Sequence, residues 1–287
     1  MRAYICTIVS VLLTVALLLG GCKKESDSGG PTGPETPPPL GGSPTIVSKT
    51  AVNDGQDLRI IWSSVENAKG YKIYCDGNEI RRIIDTTYTI PGASHVCQRV
   101  EVYAYNEGDE KRVSIDLTPV SASISGLVSH DGISGYSWVK MDFSAGDVVL
   151  VPQSSVDITA PNTGWFVFYN NYSYGTPEFR DASATSVGQA RMELAFTPNT
   201  SGSLAPGIGN YRVVRQVASG GFYFFWADNT STGYGSMDNN DYFGVVRVLS
   251  IDGSGPYTAD LEVYMQLNVP GLRWVPGVAA SSKGGEL

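Results

Sequence analysis

Apolar positions recur along most of this chain with a period of two. In "LRIIW", Leu58, Ile60 and Trp62 share one face of an extended segment. "GYKIYCDG" alternates Tyr71, Ile73 and Cys75, then reaches Asp76-Gly77. That pair favours a tight hairpin because both residues tolerate positive φ. "RVEVYAYNEGDE" alternates Val100, Val102 and Ala104 before a turn at Asn106-Glu107-Gly108. Short strands at this spacing predict a β-sandwich over residues 44–119.

The pattern continues beyond residue 120. "YSWVKMDFSAGDVVLVP" reads as two strands around Ser144-Ala145-Gly146-Asp147. "TGWFVFYNN" carries aromatic side chains on both faces, and "ARMELAFTP" alternates Met192, Leu194 and Phe196. "FYFFW" is apolar on both faces, as expected of a central strand. No helix-length amphipathic stretch interrupts the series. The expected fold class is all-β, with a second sandwich or jelly-roll-like domain at 120–276 and a flexible tail at 277–287.

The beginning of the chain breaks this rhythm. Arg2 precedes an apolar run from Ile5 to Leu19. A bilayer-crossing helix needs about 20 residues, so the run fits a secretory signal better. It ends at Leu19-Gly20-Gly21-Cys22, which resembles the lipobox of bacterial lipoproteins. The resemblance implies removal of residues 1–21, acylation of the Cys22 thiol and durable attachment to a membrane through several acyl chains. Lys23 follows the cysteine where many inner-membrane lipoproteins carry Asp, which points to the outer membrane of the cell envelope. Residues 22–43 hold few apolar side chains and many Pro and Gly. Such a segment cannot offset its ordering entropy, so a disordered, semi-extended tether is expected.

Composition narrows the function classes. A net charge of −8 without a basic cluster argues against nucleic acid as a partner. With 33 Gly, 16 Tyr and only 17 % charged residues, the chain suits an extracytoplasmic all-β protein. Of the four cysteines, Cys6 lies in the signal and Cys22 takes the lipid. Cys75 and Cys97 remain, an even pair in an oxidising compartment. They are read either as a disulfide or as two buried thiols.

The first body resembles a fibronectin type III domain. Trp62 matches that family's core tryptophan, "AKGYKIYCDG" its Gly-Tyr-x-Val-Tyr-x-x-Gly strand and "VYAYNEGDE" its Ala-Tyr-Asn-x-x-Gly ending. Val100 departs from the pattern, standing where the family often has a corner tyrosine. The resemblance implies an immunoglobulin-like sandwich acting as a spacer or binding module, with Trp62 and Tyr71 in the core. The second body resembles the HmuY family of Bacteroidota lipoproteins through "WVKMDFSAGDVV", "SSVDIT" and "VVRVLSIDGSGPYTADLEVYMQLN". Val156-Asp157-Ile158-Thr159-Ala160 stands in place of that family's Trp-Asp-Ile-Ala-Phe segment. Some members capture haem through a histidine pair, whereas this body has only His130, which reads as a solvated turn residue. A thioether can ligate haem iron, and Met237, in a polar loop, is the accessible candidate. Met141, Met192 and Met265 lie in strands and read as core.

Motifs for chemistry are sparse. There is no Gly-x-Ser-x-Gly elbow, His-Glu-x-x-His pair or phosphate-cradling loop. A two-carboxylate glycosidase could draw on Glu178, Asp181, Glu193, Asp238 and Asp241. The loop "ADNTSTGYGSMDNNDYFG" offers Asp228, Asp238 and Asp241 as hard oxygen ligands for Ca²⁺, without EF-hand spacing. "FYNNYSYGTPEF" places Tyr169, Tyr172 and Tyr174 beside Asn170 and Asn171, a pattern suited to sugar rings and hydroxyls. Tyr234 and Met237 join this ligand-binding set. The expected function is non-enzymatic. The chain is read as a membrane-anchored envelope lipoprotein whose spacer presents a β-domain to a ligand, such as a glycan or an envelope protein, with no obligatory cofactor. The alternatives are haem capture and glycan processing.

Overall fold

The computed structural model has seventeen strands among the described residues, and all pair antiparallel. The structure describes residues 37–130, 137–171, 175–185, 187–199, 202–229, 236–253 and 256–278. The signal, Cys22 and the first part of the tether lie outside the described residues. Two single-turn 3₁₀ segments are the only helical pieces among the described residues. The all-β class expected from the periodicity is the observed one.

The first sandwich pairs β1 (Ile46–Val52), β2 (Asp57–Trp62) and β5 (Thr87–Ile90) in one sheet. Its second sheet runs β4 (Asn78–Ile83), β3 (Gly70–Cys75), β6 (Arg99–Tyr105) and β7 (Glu110–Asp116). Leu58, Ile60, Trp62, Tyr71, Ile73, Val100, Val102 and Ala104 meet between the sheets. Trp62 and Tyr71 pack edge to face at 5.4 Å. The β3–β4 hairpin turns at Asp76-Gly77, both at positive φ. Cys75 and Cys97 are joined by a disulfide within the same core.

The second sandwich has two five-stranded sheets. One is ordered β10 (Asp147–Pro152), β9 (Ser137–Asp142), β11 (Thr163–Asn171), β12 (Thr176–Asp181) and β14 (Val214–Gln216). The other is ordered β13 (Glu193–Pro198), β15 (Phe222–Asp228), β16 (Tyr242–Asp252), β17 (Thr258–Gln266) and β8 (Val120–Val128). Phe166, Phe168, Phe179, Leu194, Phe196, Phe225, Val246 and Leu261 fill the space between them. β15 lies between β13 and β16, and alternation sends Phe225 inward while Phe224 and Trp226 enter an outer cluster with Phe243 and Val245. The opposite outer face carries Trp138, Trp165, Val167, Ala182 and Ala190.

Two features depart from the expected organisation. Residues 37–43, assigned to the tether by composition, lie on the first sandwich. Leu40 is buried in its core, and the carbonyls of Pro38, Pro39 and Leu40 accept from Asn106, Asn67 and Lys111. The second departure is the segment after β17. Val269, Leu272 and Trp274 enter the core of the first sandwich, so residues 37–117 and 269–274 share one apolar cluster. Gln266 Nε2 donates to Leu117 O and Trp274 O, both at 3.0 Å, tying the linker to this returning strap. Backbone bonds continue on both sides: Arg273 N donates to Gly55 O, and Val275 N to Ser203 O. The two sandwiches are therefore welded rather than strung in series.

Candidate functional site

β11 supplies the frame of the site. Its even positions, Phe166 and Phe168, face the intersheet core, while Trp165 and Val167 face the opposite way. Tyr169 follows Val167 on the outer face by the same alternation. Register decides the neighbours: Val167 lies opposite Trp138 of β9 and Arg180 of β12. Tyr169 lies opposite Glu178 on one side and makes a parallel bridge to His130 on the other. Two backbone bonds hold that bridge, from His130 N to Phe168 O at 2.7 Å and from Asn170 N to His130 O at 3.0 Å.

The side chains above this framework form a stack. The Arg180 guanidinium carbon sits 3.8 Å from the Tyr169 ring centroid. The His130 ring lies 5.0 Å from the same ring with 23° between planes. Because β12 and His130 flank β11 on opposite sides, the tyrosine ring is held between a cation and an imidazole. Arg180 also pairs with Glu178, whose carboxylate is almost wholly buried. A cavity of about 210 Å³ opens beside the stack, lined by His130, Trp138, Tyr169, Arg180, Thr185 and Val187.

His130 was expected as a solvated turn residue. Instead it is bridged to a strand and lines the cavity. Arg180, Trp138 and Thr185 were not singled out from the sequence. Their signal lay in the pairing: counting back from the β11–β12 hairpin places Arg180 beside Tyr169, although the two stand eleven positions apart.

Of the expected sugar-binding set the structure describes the side chains of Tyr169, Asn170 and Met237, and these three are not brought together. Tyr169 lines the cavity, but Asn170 is buried with its side chain on the opposite face of β11. Tyr172, Tyr174, Tyr234 and the side chain of Asn171 lie outside the described residues. Met237 is not an accessible loop residue: it is 7 % exposed and packs with Tyr211, Phe224, Trp226 and Phe243. That cluster covers the outer face of the β13–β15–β16 sheet, while His130 lies at the outer face of the other sheet. The two cannot flank one haem iron.

Among the described residues of the acidic loop, Asp241 and Asp238 bond within the protein. Asp241 is fully buried and accepts from Trp226 Nε1 at 2.9 Å, Asp238 N at 2.9 Å and Asn229 N at 3.3 Å. Asp238 turns back to accept from Asn240 N. Asp228 is buried at the end of β15. Burial pushes the Asp241 carboxyl up to about 6, with Asp228 adding to the rise. Among the described residues no group of three or more His, Cys, Asp or Glu side chains is arranged to hold a metal ion.

Two of the carboxylates weighed for glycoside chemistry, Asp181 and Glu178, are held by bonds within the fold. Asp181 Oδ1 accepts from Leu194 N at 2.7 Å, linking the two sheets, while Oδ2 caps Ser183. Burial pushes its carboxyl up to about 7 against these donors. Glu178 is committed to Arg180.

No family model and no curated protein sequence matches the chain.

Proposed function

We propose that this chain is a non-enzymatic, lipid-anchored protein of the bacterial envelope whose second sandwich binds a ligand, most simply a glycan. The cleft beside Tyr169 carries the binding half of this reading. It joins one guanidinium, one imidazole and two hydroxyl-bearing residues to an aromatic and aliphatic floor, the mix that fixes and orients small polar ligands. The lipobox-like Leu19-Gly20-Gly21-Cys22 carries the anchoring half. The three-plus-four strand order and the Trp62–Tyr71 core support a fibronectin type III-like first body. Welded to the second sandwich, that body serves as a stiff foot on the tether. The outer membrane is the proposed site of anchoring.

Two measurements test the proposal. Cys22→Ser should move the protein from the membrane fraction to the soluble one, and retention at the membrane would remove the anchor. A glycan array probed with the full chain should give binding that His130→Gln weakens. A blank array would remove the glycan reading.

A further inference from the structure

We propose that the cleft is selective for an acidic sugar, a single ring bearing a carboxylate. The inference rests on the binding reading above and names its ligand class.

The stack settles what the cleft can offer. Free tyrosine faces bind sugars through their C–H surfaces, but here both faces of Tyr169 are used, by Arg180 at 3.8 Å and by His130 at 5.0 Å. What remains at the wall is edges and polar heads rather than a ring platform. The guanidinium carries five N–H donors in a planar fork. Glu178 engages one edge of that fork through Nε and Nη2, and the Arg180 side chain is still 24 % exposed. The other edge, without a partner among the described residues, matches a carboxylate in geometry. Glu178 is 3 % exposed, so it holds the fork in place rather than meeting the ligand. The Tyr169 hydroxyl adds a further donor along the same wall, while the Thr185 hydroxyl donates to Ala182 O at 2.6 Å.

Size limits the ligand. A volume of about 210 Å³ corresponds to roughly seven waters of liquid. That is of the size of one six-membered ring with its substituents. Trp138 and Val187 add apolar surface for the ring carbons to the same lining. Neutral sugars would fill the space but leave the guanidinium edge facing a hydroxyl, a weaker hydrogen bond than one to an ionised acceptor.

Calorimetric titration of the full chain with glucuronate, galacturonate and glucose tests this. At least one uronate is expected to bind about tenfold or more tightly than glucose. Arg180→Lys keeps a charge beside buried Glu178 but loses the fork, and should abolish that preference. Tyr169→Phe, which keeps the ring stack and the ion pair and removes only a hydroxyl, should weaken the uronate several-fold. Glucose binding as tightly as the uronates would overturn the acidic selectivity while leaving the cleft as a sugar site. Absence of heat with all three sugars would overturn both readings. Uronate binding unchanged in Arg180→Lys and Tyr169→Phe would place the sugar elsewhere and also overturn the proposal.

Discussion

The indole Nε1 of Trp274 donates a 2.6 Å hydrogen bond to the backbone oxygen of Gln56, 218 positions earlier in the chain. The ring is fully buried in the core of the first sandwich, although Trp274 follows the last strand of the second. The strap around it gives the first sandwich a piece of core that its own sequence lacks. Removing the ring with Trp274→Ala should cost about 3–5 kcal/mol, the range for a buried aromatic replaced by alanine. Scanning calorimetry should show one transition in the parent, and in the variant the first sandwich should melt earlier than the second. Trp274→Phe keeps most of the packing and should cost less, because it deprives only the Gln56 carbonyl of its donor. Coincident loss of both sandwiches in the alanine variant would show that the strap acts on the whole unit rather than on one core.

Gly92 guards the same contact. A Cβ there would stand 2.0 Å from Gln56 O and 2.4 Å from Trp274 Nε1. Neither atom is the loose end of a side chain, and Gly92 N is itself held by Asp57 Oδ1 at 2.9 Å. Gly92→Ala should destabilise by about 1–3 kcal/mol through overpacking. Gly108→Ala serves as the control, since its nearest contact would be Pro37 Cγ at 3.5 Å. Urea midpoints of the two variants should differ clearly, and equal midpoints would show that the strap yields to the extra methyl.

The Cys75–Cys97 bond closes a loop with a sequence separation of 22. Cross-linking a loop of this length restricts the unfolded chain by about 3 kcal/mol in the chain-entropy model. Cys97 is fully buried and Cys75 nearly so, which also keeps the bond from reductant in the native state. The Cys75→Ala, Cys97→Ala double variant should lose about that much stability in a denaturant titration. Addition of dithiothreitol should shift the parent curve only after unfolding exposes the bond. A variant as stable as the parent would mean that the packed core alone carries this region.

Much of the fold was legible because period two is a local signal. Leu58, Ile60 and Trp62 point inward as their alternation requires, and the Asp76-Gly77 turn needed only the two residues that occupy it. The strap was not legible, since "PGLRWVPG" has no periodicity and its partners lie in the other body. Met237 misled for a related reason. Its neighbours Asp238, Asn239 and Asn240 are polar, yet the Asp241 and Asp238 carboxylates accept from the backbone N–H groups of Asp238 and Asn240 and fold the loop back, and the thioether packs with Phe224 and Trp226. At the cleft, Tyr169 was visible in an aromatic run. Arg180 and His130 became its neighbours only through strand register, which composition does not carry.

Asp181 should make stability fall as pH rises. Burial raises its carboxyl in the folded chain from the ordinary 3.8 to about 7. Between those values the native state keeps a proton that the unfolded chain has released, so each step upward in pH favours unfolding. One carboxylate of this kind changes stability by at most about 1.4 kcal/mol per pH unit. Asp241, raised to about 6, adds the same sign over the lower part of the window. Stability should therefore decline from about pH 4 to about pH 7 and level off above it as far as these two groups decide. Asp181→Asn should be less stable overall, because its amide NH₂ must face Leu194 N or Ser183 N. Its decline should nonetheless be shallower and should end near pH 6, where only Asp241 still titrates. Urea unfolding of parent and variant at half-unit intervals from pH 4 to pH 8 measures both slopes. Parallel curves would mean that the three donors around Asp181 keep it ionised throughout, and the burial argument would fail.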